Sequence, residues 1–372
     1  MKFIVYFLVN LCLTPIDGLI TTSNAITKYN KIPIFKKTYI THEMRKKKFN
    51  PNFYEIAIFP NSPMQPAKNK IIQKMKNIAK LMRVGNTLPT LLLCFSGGWI
   101  TTPSLHSLLS SKTFIISSIN TILVMYVSMI INDIFDLEVD KYNNPSRPLV
   151  TGEINVKEAI GYASILVFAI EYSAYMWLPS VQQKYLHLAL LNVFLYTPYF
   201  KKIMILKNIS CAFLVAFSIY FAGLGSSHGK ISTHGKISTH GQIINNINLL
   251  VIAAKLVFFG SFTNELLLDM RDKCGDKINK IITIPVKYGN RVSWRIALSL
   301  LFTNVMWNAF EILKIYGFIK SVLFIVLCSP FYINLLKIKK NGYSKTIILY
   351  FLEEVPKNLL VILIYLCTFV TV

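Results

Sequence analysis

Two short stretches of the 372-residue chain carry carboxylates at spacings that suit chemistry better than packing. The first, NDIFDLEVD, packs four acidic side chains into eight residues: Asp133, Asp136, Glu138 and Asp140. At about 100° per residue, Asp133, Asp136 and Asp140 stand at i, i+3 and i+7 and share an arc of about 60° on a helix face. The second, NELLLDMRDKCGD, sets Asp269, Asp272 and Asp276 at the same intervals. A solvated charged face accounts for one such triad. It does not account for a matched pair, each closing a long apolar run, because clustered carboxylates repel and acids at a membrane edge are costly without a counter-charge. A hard divalent cation supplies that charge. Mg²⁺ accepts one or two carboxylates, keeps some waters and completes its shell with phosphate oxygens. Two carboxylate faces on opposing helices could therefore hold a diphosphate through bridging Mg²⁺.

The elements that must position these acids are membrane helices. Hydrophobic residues make up 53% of the chain and charged residues 15%, with a mean hydropathy of +0.48. A soluble domain of this length needs a more charged surface. Several apolar runs are long enough to cross a hydrocarbon layer of ~30 Å as helices, and in lipid each backbone amide must be paired within its own segment. The fold class expected is an all-α polytopic membrane bundle. Apolar runs and their breaks put about nine spans near 86–108, 113–135, 156–177, 184–200, 208–226, 246–268, 291–314, 318–336 and 346–370. The last is interrupted by EEVPK at 353–357, which reads as a kinked span or a short re-entrant piece.

The net charge of +23, from 40 Lys and Arg against 17 Asp and Glu, does not point to nucleic acid. The basic residues sit in the N-terminal region and in loops between spans, which fits the positive-inside bias and attraction to anionic headgroups. At the N-terminus the apolar FIVYFLVNLCL resembles a signal-peptide core, and a basic, acid-poor stretch with the cluster RKKK at 45–48 continues from it to about residue 66. That two-part order resembles the targeting sequence of plastids acquired by secondary endosymbiosis. The alternative is an ordinary signal anchor with a disordered tail, serving an endomembrane or mitochondrial location. Residues 67–372 form the expected membrane domain. Within it, HGKISTHGKISTHGQ (228–242) repeats a six-residue unit and reads as an expanded solvent loop. A six-residue step does not return His228, His234 and His240 to one helix face, so a metal site there is disfavoured. The six cysteines, with no C-x-x-C pair, point to neither a disulfide framework nor zinc.

N-D-x-x-D-x-x-x-D followed by N-x-P-x-R-P-L-x-[ST]-G, here Asn132 through Gly152, resembles the first signature of the UbiA-type intramembrane prenyltransferases. D-x-x-D-x-x-G-D-K with T-x-P-x-x-x-G after it, here Asp269 through Gly289, resembles their second. LMRVGNTLP (81–89) is similar to the start of the family's first span, and YTPYFKK (196–202) to the element after its fourth. The resemblance covers roughly residues 80–370. It implies nine transmembrane helices around a central cavity with both acidic motifs at one mouth, and transfer of a polyprenyl group from an allylic diphosphate to an acceptor. Carried over residue by residue, it makes Asp133, Asp136, Asp140, Asp272 and Asp276 Mg²⁺ ligands, directly or through water, with Asp269 supporting them. Asn132 would hydrogen-bond within the first motif. Arg147, Lys201 and Lys277 would neutralise the departing diphosphate, and Asn86 and Tyr196 would line the cavity. Many relatives carry Gly where this chain has Lys280, which puts the geometry of that loop in doubt.

Charge dictates the chemistry such a site must perform. Ionising an allylic C–O bond leaves a carbocation and loads negative charge onto the diphosphate, which Mg²⁺ and basic side chains stabilise. A cavity that excludes water protects the cation, and aromatic faces can stabilise it. No general base stands out in the sequence. NNPSRP after the first motif resembles the branch with chlorin, homogentisate and glycerol-phosphate-lipid acceptors more than the branch with R-T-x-x-R-P. Two other readings stay open: a secondary transporter, since intramembrane acids also mark ion routes, and a degenerate, non-catalytic relative.

Overall fold

A computed structural model describes residues 67–231, 237–278 and 281–370. The leader and targeting segment, residues 232–236 of the repeat and Lys280 lie outside the described residues. The chain divides between Met75 and Lys76. Of the first unit only residues 67–75 are described, as part of the helix α1 (Ala67–Leu81). The second unit, Lys76–Val372, holds both acidic motifs and all the later helices.

That unit is helical, with no strand among the described residues. After a 3-10 turn (Val84–Asn86) come α2 (Thr87–Thr101), α3 (Leu105–Ser110), α4 (Lys112–Phe135), α5 (Leu137–Asn143), α6 (Val156–Trp177) and α7 (Ser180–Tyr196). A second 3-10 turn (Phe200–Lys202) leads to α8 (Met204–Ile231) and α9 (Ile237–Ile278). The chain ends with α10 (Ile284–Tyr288), α11 (Asn290–Tyr316), α12 (Phe318–Lys340) and α13 (Lys345–Cys367). Local signals set the boundaries. Ser111 caps α4 by accepting from the Phe114 amide at 3.3 Å. Asn155 and Glu158 form a capping box that opens α6. Gly317, at φ 90°, turns the chain from α11 into α12 in a conformation that favours glycine.

The expected first span, 86–108, is broken at residues 102–104 into α2 and α3; the others fall on single helices, and only six of the described helices are long and apolar enough to cross a membrane: α4, α6, α8, α9, α11 and α12. With 15 residues, α2 reaches about 22 Å at 1.5 Å per residue, short of the ~30 Å hydrocarbon layer. The 17 residues of α7 fall short as well. In α13 the acids Glu353 and Glu354 and the base Lys357 interrupt the apolar run, yet the helix continues through Pro356. There Lys357 donates to Glu354 at 2.8 Å. The repeat departs from the loop expectation. The apolar parts of α8 and α9 end at Ser227 and begin at Ile244, but both helices run on into residues 228–231 and 237–242. Extending a formed helix fixes one residue per hydrogen bond, so it can continue past its apolar part at little cost.

The helix α8 is central, packed on α2, α4, α7 and α9. Its contact with α2 needs small residues. A Cβ on Gly97 would stand 2.0 Å from the carbonyl oxygen of Ile219, so the two backbones touch. Such close approach lets helices associate where lipid provides no hydrophobic drive. On its other side, α9 packs on α11 and α13 around buried Leu256, Leu301, Phe324 and Leu363. The 35 residues of α9 from Ile244 to Ile278 amount to about 52 Å of helix, well beyond a hydrocarbon thickness. Its acidic end can therefore project beyond the lipid core.

Candidate active site

The first acidic motif does not lie on one unbroken helix. The helix is interrupted at Asp136 (φ −89°, ψ 5°), between α4 and α5, and Asp136 takes a different partner from Asp133 and Asp140. Asp133 and Asp140, both buried, face a common partner: Arg147 donates through Nη1 to Asp133 at 2.8 Å and also to Asp140. Arg83 donates to the same Asp133 oxygen at 2.7 Å. It does so from a left-handed backbone (φ 50°, ψ 53°), a strained conformation for a non-glycine residue and one found disproportionately at functional sites. Asn144 donates to Asp140 at 3.1 Å. Asp136 instead takes its bond from Lys201, in the second 3-10 turn.

The second motif lies on one continuous helix, the C-terminal end of α9. Asp269 is buried and accepts from Lys207 at 2.6 Å and from Asn208 at 3.1 Å, both in the first turns of α8. Asp272 is exposed and bound at two oxygens by Arg271, at 2.8 and 2.5 Å. Asp276 is half-buried and, among the described residues, its carboxylate accepts only from the Thr283 hydroxyl, at 3.4 Å.

The segment from Lys201 to Asn208 thus reaches both motifs, with Lys201 on Asp136 and Lys207 on Asp269. Six residues separate the two lysines, at most about 20 Å of chain. Both acidic motifs therefore lie at the same end of the bundle, where the C-termini of α4 and α9 meet the N-terminus of α8. Four acids (Asp133, Asp136, Asp140, Asp269) face four bases (Arg83, Arg147, Lys201, Lys207).

The expected site residues differ in their surroundings. Among the described residues no three acid, His or Cys side chains stand together to hold a metal ion. The counter-charges in this structure are Arg and Lys, because each buried carboxylate must be paired with something. Asn132 makes no side-chain hydrogen bond within the first motif, or to any described residue, and its carbonyl simply continues the helix by accepting from the Asp136 amide at 2.9 Å. Lys277 and Asn86 are exposed, and neither side chain bonds to another described residue. Tyr196 is half-buried beside Cys211 of α8. Reading by signature missed Lys207 and Asn208. The available signal was a charge in the opening turn of an apolar span, which is costly unless it is paired.

The donor set suits Mg²⁺ in the mode that leaves coordination positions to substrate. The oxygens are hard, Asp272 is exposed, and Asp276 makes no close ion pair with a described residue, Lys207 acting on it from a greater distance. One or two carboxylates per ion suffice when phosphate completes the shell.

Comparison with known proteins gives a consistent picture. Residues 90–352 match the model of the UbiA prenyltransferase family. A digeranylgeranylglyceryl phosphate synthase of Methanococcus aeolicus is 27% identical over 274 residues, covering 72% of this chain and 88% of that protein. The synthase of the same name from Methanocaldococcus jannaschii is 26% identical over 269 residues, covering 70% and 84%. Among solved structures, one concerned with digeranylgeranylglyceryl phosphate synthase in membranes superposes with a TM-score of 0.60 at 24% identity, over 79% of this chain and 98% of that one. A UbiA homologue from Archaeoglobus fulgidus, bound to DMAPP and Mg²⁺, superposes with a TM-score of 0.55 at 20% identity, over 78% and 99%.

Proposed function

The chain belongs to the UbiA prenyltransferase family, is an integral multi-pass membrane enzyme of that chemistry, and on that premise we propose that it transfers a polyprenyl group from an allylic diphosphate to the hydroxyl of a glycerol-phosphate lipid, with Mg²⁺ as cofactor. The observation that carries the reading is the pairing of four acids with four bases where α4, α8 and α9 meet. An ion channel or transporter needs acids that a passing ion can reach near mid-membrane. A diphosphate site needs acids and bases interleaved at one mouth. The glycerol-phosphate acceptor draws support from the relatives named for a glyceryl phosphate that carries two geranylgeranyl groups. Mg²⁺ draws support from the A. fulgidus homologue.

Asp133, Asp136, Asp140, Asp272 and Asp276 would hold Mg²⁺, directly or through water, with Asp269 fixing the end of α9 against α8. When bound, Mg²⁺ supplies Lewis-acid stabilisation of the charge that develops on the diphosphate. Arg147, Lys201 and Lys207 supply fixed positive charge at the same place, donating to phosphate oxygens as they now donate to carboxylates. Lys277, one residue past Asp276 and exposed, is placed to meet the diphosphate as it arrives or leaves. Tyr196, half-buried at the end of α7, would line the cavity in which exclusion of water protects the allylic cation. A plastid-type location rests on residues 1–66 alone.

The test uses the full chain in lipid nanodiscs with labelled geranylgeranyl, farnesyl and longer diphosphates, across glycerol-phosphate lipid and aromatic acceptors. Mg²⁺-dependent diphosphate release that requires the lipid acceptor, and that disappears in Asp136→Ala and Asp272→Ala, is the expected result. Release with only an aromatic acceptor would move the acceptor assignment. Variants as active as the wild type would remove the site assignment.

A further inference from the structure

The acidic stripe on α9 continues one turn further than its signature. Glu265, Asp269, Asp272 and Asp276 stand at i, i+4, i+7 and i+11, within about 60° of one helix face. Glu265 lies about 6 Å along the axis toward the membrane interior from Asp269. Each of the three aspartates has a hydrogen-bond donor: Lys207 and Asn208, Arg271, and Thr283 respectively. Glu265 is half-buried and has neither a hydrogen bond nor an ion pair with any described residue. Its charged and titratable neighbours are Lys207 and Cys211 on α8, Asp269 and Arg271 on its own helix, and Tyr196 at the end of α7. A carboxylate left without a partner inside a span is expensive and points to function.

A second feature beside it indicates the ligand. Asn208 is fully buried and gives its amide N–H to Asp269, while its own Oδ1 has no donor. Two acceptors, the Glu265 carboxylate and the Asn208 amide oxygen, thus flank Asp269 and await a donor. An anion does not fit there. A hydroxyl group does.

We propose that Glu265 is the catalytic base that receives the proton of the acceptor's hydroxyl, with Asn208 helping to orient that hydroxyl; this rests on the reading of the enzyme as a prenyl transferase to an alcohol. In the step, the acceptor oxygen forms the new C–O bond to the allylic carbon. Its O–H bond breaks and the proton passes to the Glu265 carboxylate. The allylic C–O bond breaks with its electron pair leaving on the diphosphate, so no oxidant or reductant is needed. Lys207 pairs with Asp269 on the outer part of the stripe, and the proton acceptor lies one turn inward.

The experiment compares wild type, Glu265→Gln and Glu265→Asp as full chains in nanodiscs. It reads kcat and KM for the labelled prenyl diphosphate, donor binding at equilibrium with Mg²⁺, and the pH dependence of kcat. Glu265→Gln should lower kcat by roughly 10²–10⁴-fold with donor binding and KM unchanged, and Glu265→Asp should recover part of the rate. Wild-type kcat should rise with pH to a plateau as the base ionises, and that limb should vanish in Glu265→Gln. A Glu265→Gln rate within threefold of wild type overturns the assignment, as does a limb that survives the substitution, which would belong to Cys211, Tyr196 or a lysine. Loss of donor binding that Glu265→Asp does not restore also overturns it, since Glu265 would then shape the site only. Should Glu265→Gln fail to fold, Glu265→Asp decides alone: a wild-type rate and an unmoved limb overturn the proposal, while a lowered kcat with intact donor binding and a displaced limb support it. Absence of Mg²⁺-dependent transfer in the wild type is a separate result, which removes the parent reading and this one with it.

Discussion

Replacing Arg147 with glutamine tests the charge balance at the first motif. In the wild type two buried carboxylates, Asp133 and Asp140 with side chains 3% and 5% exposed, face the cations Arg83 and Arg147. Arg147→Gln leaves two negative charges against one positive. Asp133 keeps Arg83 at 2.7 Å, so the deficit falls on Asp140, whose remaining side-chain donor is Asn144 at 3.1 Å. Breaking a buried pair by removing one partner costs about 3–5 kcal/mol. Arg147 is 20% exposed and Asn144 still donates, so the expected loss is at the lower end, about 3 kcal/mol. The assay is unfolding of the full chain in lipid, with a chelator present so that no metal masks the deficit. The double variant Arg147→Gln/Asp140→Asn removes charge from both sides. It should recover about 2 kcal/mol relative to the sum of the two single variants. Added Mg²⁺ should stabilise Arg147→Gln more than wild type, since it replaces the missing charge. A single-variant loss below about 1 kcal/mol, or a double variant that is simply additive, would show that the pair does not hold this end of the bundle.

Gly97→Ala should destabilise the fold by about 1–3 kcal/mol, because its Cβ would meet the Ile219 carbonyl, backbone that cannot rotate away. Gly161→Ala in α6, which meets nothing within 4 Å, should be neutral or slightly stabilising in the same unfolding assay. Lys277→Ala should leave stability within about 0.5 kcal/mol of wild type while raising KM for the prenyl diphosphate. An unchanged KM would remove Lys277 from the path of the diphosphate.

The clamp formed by residues 201–208 gives the site a mechanical logic. Lys201 and Lys207 tie the N-terminus of α8 to both acidic helices, so the bases proposed to meet the donor also hold the motifs in register. Binding a diphosphate with its metal ions would exchange these internal pairs for external ones of the same charge type. Such an exchange avoids exposing an unpaired buried charge at any stage.

The sequence by itself determined that the chain is a helical membrane protein, because long apolar runs with few charges have only one way to satisfy their backbone in lipid. It also singled out the candidate acids, since residue type and spacing are local properties of a helix: Asp133, Asp136 and Asp140, and Asp269, Asp272 and Asp276, were visible before any packing was known. Only the tertiary structure decided their partners. Nothing along the chain links Lys207 to Asp269, 62 residues away, or Arg83 to Asp133, 50 residues away. The first pair exists because α8 packs on α9 and the second because α2 packs on α4, and that packing depends on side-chain shape across four helices. The same holds for Glu265. Its place on the acidic stripe could be counted from the sequence. That it alone of the four lacks a donor among the described residues depends on which side chains α7 and α8 bring to its face.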